Sequence, residues 1–291
     1  MASNVKTVEI VKQLPVLPPR PAESNKGMFG RVLVVAGSRG MSGAGVLCAG
    51  AALRGGAGLV RLAVPAEVLP IVATANPCYL TAPLAQDSAG RISSEATADI
   101  LDLAEANDVL AIGPGLGRSE ALTELVIRIT SAVQKPIVLD ADGINAMAGQ
   151  RDPFAGRTAP LILTPHPGEF ARLSGTSIKE VQDRRQDLAV PFAHEHGIIL
   201  VLKGHGTIVT DGHRVYVNST GNAGMATGGT GDVLTGLIAA FLGQGLDAFS
   251  AAQLGVHVHG LAGDLARDEL GEVSLIATDL LDYLPSAIQS F

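Results

Sequence analysis

Asp232 is the acid in this chain best placed to do chemistry. It follows "GGTG" at residues 228–231, and four glycines fall within residues 224–231 of the segment "NAGMATGGTGDVLTGLIAAFLGQG" (222–245). Glycines ahead of a helix let backbone N–H groups converge on an anion, and the helix dipole adds favourable potential. A carboxylate at that seam can take the proton of a hydroxyl about to attack a phosphate. The plain alternative is an acid that stabilises the helix N-terminus. Glycine density favours the anion site, because a simple cap does not need Gly228, Gly229 and Gly231 together. No Lys-Ser/Thr pair follows them, which excludes a Walker A loop.

Other loops offer complementary groups. "DADGIN" (140–145) follows the apolar "PIVL" and carries Asp140, Asp142 and Asn145. It can hold Mg²⁺ through water, or cap a helix starting near Asp142. In "TPHPGEF" (164–170) Pro165 and Pro167 stiffen the backbone that presents His166, a candidate ligand contact. Glu169 either reaches a metal through water or caps the next helix. "KGHGT" joins Lys203, Gly204, His205, Gly206 and Thr207: a cation, two glycines and a hydroxyl, suited to a nucleotide's phosphate or ribose. A hairpin loop with a surface lysine is its plain reading. "GPGLG" (113–117) fails as a dinucleotide fingerprint, since Arg118 stands where the third glycine belongs. His194/His196 and His257/His259 are spaced i,i+2 in helical stretches, share no helix face, and make poor metal ligands.

These loops need elements to hold them. Strand-like runs occur at residues 31–37, 59–64, 108–113, 136–141, 160–165 and 197–204. Helical stretches are expected over 43–54, from about 66, and over 120–132; a hairpin with a "DGH" turn at 211–213 follows the last run, and the chain from 231 onward is helical. Alternation of this kind, with runs apolar throughout, predicts a doubly wound parallel sheet in one domain. Ligands of such sheets sit beyond the carboxyl ends of the strands, which is where the polar, glycine-rich loops fall. The helix over 43–54 is built of small residues, which permits close packing and leaves room for a flat ligand at its start.

Composition narrows the function classes. With 21 basic and 28 acidic residues the net charge is −7, and no basic cluster marks a nucleic-acid surface. Aromatics are only 3% of residues, so the core is aliphatic. Cys48 and Cys78 have no Cys-x-x-Cys spacing and read as free, buried thiols in a reducing cytoplasm. The first residues, "MASNVKTVEIVKQLPVLPPRPAESNKG", lack a secretory apolar core and suggest an extended arm over 1–25. No run is apolar and long enough to span a membrane, and the sequon at Asn218 is read as chance.

Together the motifs "KGMFGRVLVVAGSRGMSGAGVLCAGAALRGGAGLV", "IGPGLGR", "VLDADGIN", "LTPHPGEFARL", "VLKGHGTIVTDG" and "NAGMATGGTGDVLTGLIAAFLGQG" closely resemble the ADP-dependent NAD(P)H-hydrate dehydratases, from Lys26 to the C-terminus. The resemblance implies a single-domain α/β fold of the ribokinase-like kind over 26–291, with a mostly parallel sheet covered on both faces. It implies dehydration of the S-epimer of NADHX or NADPHX, with ADP (or ATP) as phosphoryl donor and Mg²⁺ as cofactor. Asp232 would be the base. Ala44, Gly115 and His166 match the hydrate contacts, with Gly117, Asn145 and Glu169 as neighbours. Lys203 to Thr207 and Gly231 match the adenine-nucleotide contacts, and Asn222, Thr227, Gly228, Gly229 and Thr230 complete the segment that would wrap the ADP phosphates. Mg²⁺ would lie near Asp140, Asn145 and Glu169. A cytoplasmic homotetramer is implied, served by a separate NAD(P)HX epimerase, since only about 25 residues precede the dehydratase region. The rivals are a kinase of the same fold acting on a vitamin precursor or sugar hydroxyl, which is not expected to carry "TPHPGE" and "KGHGT" in this form, and a non-catalytic adenylate sensor, against which the retained Asp232 speaks.

Overall fold

The apolar runs become strands of one sheet in the computed structural model, which describes residues 8–150, 154 and 156–290. The strands are β1 (Glu9–Ile10), β2 (Arg31–Val35), β3 (Leu59–Pro65), β4 (Leu80–Leu84), β5 (Val109–Ile112), β6 (Ile137–Leu139), β7 (Leu161–Leu163), β8 (Ile199–Leu202), β9 (Ile208–Thr210) and β10 (Arg214–Val217). The helices are α1 (Ser42–Arg54), α2 (Leu69–Ala75), α3 (Thr97–Glu105), α4 (Glu120–Ala132), α5 (Asp142–Met147), α6 (Pro167–Ser174), α7 (Ile178–Asp183), α8 (Arg185–His196), α9 (Thr230–Gly243), α10 (Ala248–Leu270) and α11 (Ala277–Gln289).

The sheet has 10 strands in the order β1-β10-β9-β8-β7-β6-β5-β2-β3-β4. Strands β4 through β8 and β2, β3 run parallel, and β9 is antiparallel to both its neighbours. Side chains alternate across each strand, so one run feeds two cores. Val32 and Val34 pack with Ala49 of α1, Leu237 of α9, Ala251 of α10 and Leu284 of α11. Leu33 and Val35 face Ile100 of α3, Leu125 of α4, Ile144 of α5 and Phe170 of α6. Each buried Val, Leu, Ile or Phe among them contributes about 1.5–3 kcal/mol. Burial of both faces is what the unbroken apolar runs require.

Several features depart from the sequence expectation. Strand β4 and helix α3 were not anticipated, and α2 starts at Leu69 instead of near residue 66. Pro83 lies within β4, where it is tolerated because β4 is the sheet's edge. Cys48 is buried as expected, whereas Cys78 is exposed. In the N-terminal stretch Glu9 and Ile10 pair in parallel with β10, and Val11, Leu14 and Leu17 pack on the core. Asn218 of the sequon is 7% exposed and donates to the carbonyls of Thr220 and Val256, which makes it a structural residue.

Chain order places the functional loops. After β2 the chain adds β3 and β4 on one side, then returns to lay β5, β6, β7 and β8 on the other. The reversal lies between β2 and β5, the position where doubly wound sheets open a crevice. Gly37 N donates to Pro114 O there (2.8 Å), and Ser38 Oγ to Gly115 O (2.8 Å).

Candidate active site

Asp140 is the hub that gathers the strand-end loops. Just past β6, its carboxylate is 1% exposed. Lys203 Nζ donates to Oδ1 at 2.8 Å and Thr164 Oγ1 at 2.7 Å, while Thr235 Oγ1 of α9 donates to Oδ2 at 2.9 Å. One buried acid thus ties the loops after β6, β7 and β8 to the start of α9. The following residue, Ala141, has φ +48°, and is the only non-glycine with positive φ among the described residues. Such strain persists where surroundings over-determine the backbone, and it clusters at functional sites.

Around this hub the glycine-rich segment meets the cation. Gly229 stands ahead of α9 with φ +92°, a conformation costly for any other residue, and no side chain caps the helix. The first-turn N–H groups of α9 therefore remain for an anion. A Cβ on Gly231 would lie 3.1 Å from Lys203 Nζ, so the ammonium sits against the helix start. Burial pulls the Lys203 pKa down, but Asp140, Glu169 and Asp232 outweigh it and hold the ammonium above its usual value.

Asp232 is the next residue of that first turn. Burial, reinforced by the charge of Asp140, pushes its pKa up to about 7, against the pull of Lys203. A carboxyl poised there is ionised in about half of molecules at neutral pH and can accept a proton. A helix-stabilising acid would instead be held low.

The loop after β7 docks beside this centre, because Lys203 N donates to Pro165 O (2.9 Å). His166 has a job the sequence did not disclose. Its Nδ1 accepts from Gly168 N (3.0 Å) and Glu169 N (3.3 Å), and Glu169 Oε2 accepts from His166 N (2.8 Å), a reciprocal capping box for α6. Accepting through Nδ1 places the proton on Nε2, in a ring about half exposed. Burial lowers its pKa despite Glu169, so the neutral ring persists near neutrality.

In the loop after β5, Gly115 (φ +62°) touches α1: a Cβ there would stand 2.9 Å from Ala44 Cβ. Gly117 N donates to Asp142 Oδ2 (2.9 Å). Ala44, Gly115 and Gly117 are thus gathered beside α1 and Asp142, while Asp232, Lys203 and His166 gather around Asp140. Gly204, His205 and Gly228 are exposed, while Gly206, Thr207, Asn222, Thr227 and Thr230 are half-buried.

Several residues that hold these loops were not foreseen. Arg185 donates to the carbonyls of Lys203 (3.2 Å), Leu202 (2.8 Å) and Gly206 (3.4 Å), fixing the "KGHGT" backbone. His259 Nε2 donates to Thr230 O (2.9 Å), with burial lowering its pKa to about 4. Asp264 accepts from Gly221 N (2.8 Å) and Asn222 Nδ2 (3.0 Å). All are remote in sequence from what they support, so only the i,i+2 histidine spacing could have drawn notice, and it concerns metals.

Metal ligation finds little here. Asp140 is fully engaged, Asn145 Oδ1 accepts from Arg172 (3.0 Å), and no group of three or more His, Cys, Asp or Glu side chains among the described residues could hold an ion.

Comparison with known proteins is consistent with this geometry. The family model described as NAD(P)H-hydrate dehydratase matches residues 32–286. A bifunctional NAD(P)H-hydrate repair enzyme from Moorella thermoacetica is 47% identical over 276 residues, covering 94% of this chain but 52% of the relative. The chain therefore spans about half the length of the curated relatives it matches. The ADP/ATP-dependent NAD(P)H-hydrate dehydratase from Bacillus subtilis, co-crystallised with ATP/Mg²⁺, superposes with a TM-score of 0.82 at 33% identity and covers 94% of each chain. A hydroxyethylthiazole kinase from Pyrococcus horikoshii, at 16% identity and TM-score 0.60 over 90% of this chain and 92% of its own, shares the fold alone. With family model, sequence similarity and fold in agreement, this ribokinase-like chain belongs to the NAD(P)H-hydrate dehydratase family.

Proposed function

We propose that this protein dehydrates the S-epimer of NADHX or NADPHX to NADH or NADPH, spending ADP or ATP. The observation that carries the reading is Asp232, held at a pKa of about 7 on the first turn of α9 with Lys203 beside it. The hydrate lies against Ala44, Gly115 and His166, with its C6 hydroxyl at Asp232. The nucleotide lies along residues 203–207, its phosphates on the segment 222–231.

Asp232 takes the hydroxyl proton as the oxygen attacks the terminal phosphorus of ADP, and AMP leaves. Electrons of the ring nitrogen then expel phosphate from C6, and loss of the proton on the adjacent carbon restores the double bond. Phosphate departs far more readily than hydroxide, so a nucleotide makes the dehydration feasible. General-base assistance contributes roughly 10²–10⁴-fold. Lys203 and the α9 N–H groups stabilise charge on the transferring phosphoryl group. Mg²⁺, when bound, would lower the negative charge of the phosphates, and Glu169 would hold it through water. The His166 Nε2–H donates to the hydrate. An epimerase activity that interconverts the hydrate epimers supplies this substrate, and the protein works as a cytoplasmic homotetramer.

Incubation with hydrated NADH, Mg²⁺ and ADP, followed by absorbance of the reduced nicotinamide, tests the reading. Recovery of NADH only with nucleotide present supports it. Phosphorylation of a vitamin-precursor hydroxyl with no action on the hydrate would favour a kinase instead.

A further inference from the structure

A cavity of about 610 Å³ opens beside the crevice, between α4 and α5, and nothing in the chemistry above occupies it. Its size suits a small-molecule site, for which roughly 300–1,000 Å³ is usual. Neither Asp232 nor any residue of "KGHGT" lines it. It joins the crevice on the hydrate side: Gly117 lines it, two residues beyond the Gly115 that abuts Ala44. Asp142 also lines it, and lies near enough to Asp232 to raise that residue's pKa.

The walls divide by chemistry. Arg118 Nε donates to Asp142 Oδ1 (3.4 Å), and Arg172 Nε to Asn145 Oδ1 (3.0 Å). Each guanidinium is thereby engaged only through Nε, and neither makes a further side-chain hydrogen bond among the described residues. Two such forks suit the oxygens of a pyrophosphate. Glu120 and Glu124 stand one turn apart on α4 and can accept from ribose hydroxyls. Leu122, Val126 and Ile127 add apolar surface for a base.

We propose that this cavity receives the adenosine-diphosphate half of the hydrated dinucleotide, with Arg118 and Arg172 on its pyrophosphate. The assignment rests on the dehydratase reading and deepens it. A dinucleotide whose nicotinamide end sits at Asp232 has to extend away from the nucleotide co-substrate, and this cavity is lined by no residue of "KGHGT".

Hydrated reduced nicotinamide mononucleotide, which lacks the adenosine half, supplies the test. Thr123→Trp fills the cavity from the half-buried surface of α4, and Arg172→Gln removes one charge without adding bulk. The KM for the dinucleotide hydrate should rise about tenfold or more in Thr123→Trp and several-fold in Arg172→Gln, tenfold in affinity being worth ~1.4 kcal/mol. The KM values for the mononucleotide hydrate and for ADP should stay as in the parent protein. Equal change for both hydrates, or no change for either in Arg172→Gln and Thr123→Trp alike, overturns the assignment and leaves the dehydratase reading standing. Absence of turnover of both hydrates by the parent protein would remove that reading, and this assignment with it.

Discussion

Replacing Asp232 with asparagine separates a catalytic base from a helix-stabilising acid by the sign of its effect on stability. The carboxyl titrates near 7 in the fold, against an ordinary value of 3.8, because burial and Asp140 disfavour its charge. A raised folded pKa means the folded state binds the proton more tightly than the unfolded chain. Stability is therefore full below the unfolded value, declines as pH rises from about 4, and levels off above about 7. At ~1.36 kcal/mol per pKa unit, the ionised group costs the fold up to about 4 kcal/mol at pH 8. Asp232→Asn removes that cost, since the amide is neutral and nearly isosteric. Thermal unfolding at pH 8 should shift upward by several degrees, at roughly 2–4 °C per kcal/mol for a large domain. The gain should shrink to nothing as pH falls towards 4. Turnover should fall by at least ~10²-fold, the lower end for loss of a general base. An acid serving the helix dipole would behave oppositely, its loss costing about 0.3–1 kcal/mol. A variant that melts lower at pH 8 and keeps its turnover would refute the reasoning.

The pH profile follows from the same carboxyl: kcat/KM should drop tenfold per pH unit below about 7, and a profile flat down to pH 5 would show that Asp232 is no base. Lys203→Met strands the buried charge of Asp140 and should destabilise the fold by about 3–5 kcal/mol. Because Lys203 holds the Asp232 pKa down, the acidic limb should also move to higher pH, and an unmoved limb would deny the coupling. His166→Ala loses both a cap and a ligand contact, costing about 0.5–2 kcal/mol of stability. His166→Asn keeps a capping side chain, so its melting temperature should stay close to the parent while the KM for the hydrate still rises roughly three- to twelve-fold. If only the alanine variant changes KM, the imidazole is a cap and nothing more.

Loops were more legible in the sequence than the residues supporting them. Apolar runs ended at glycines and polar residues, and the switch-point rule turned those ends into one crevice; the helix over 120–132 emerged with the same bounds. Strand β4 was illegible because Pro83 argues against a strand unless it is known to lie at the edge. Asp140 read as an open acid, since the ammonium that engages it comes from Lys203, 63 positions away. Histidine seldom caps helices, so His166 was read for its ring, and its service to α6 went unseen. Arg185, His259 and Asp264 act on backbone groups that only the folded chain brings near them. Local patterning shows where a site is. Pairing of buried charges across loops sets its chemistry, and that pairing has no local signature.

Product stoichiometry tests the central claim most directly. With purified protein, Mg²⁺, ADP and the S-epimer of hydrated NADH, each NADH formed should be matched by one AMP and one phosphate, and omission of ADP should abolish NADH formation. NADH appearing at the same rate without nucleotide, or AMP and phosphate accumulating without NADH, would contradict dehydration through a phosphorylated intermediate.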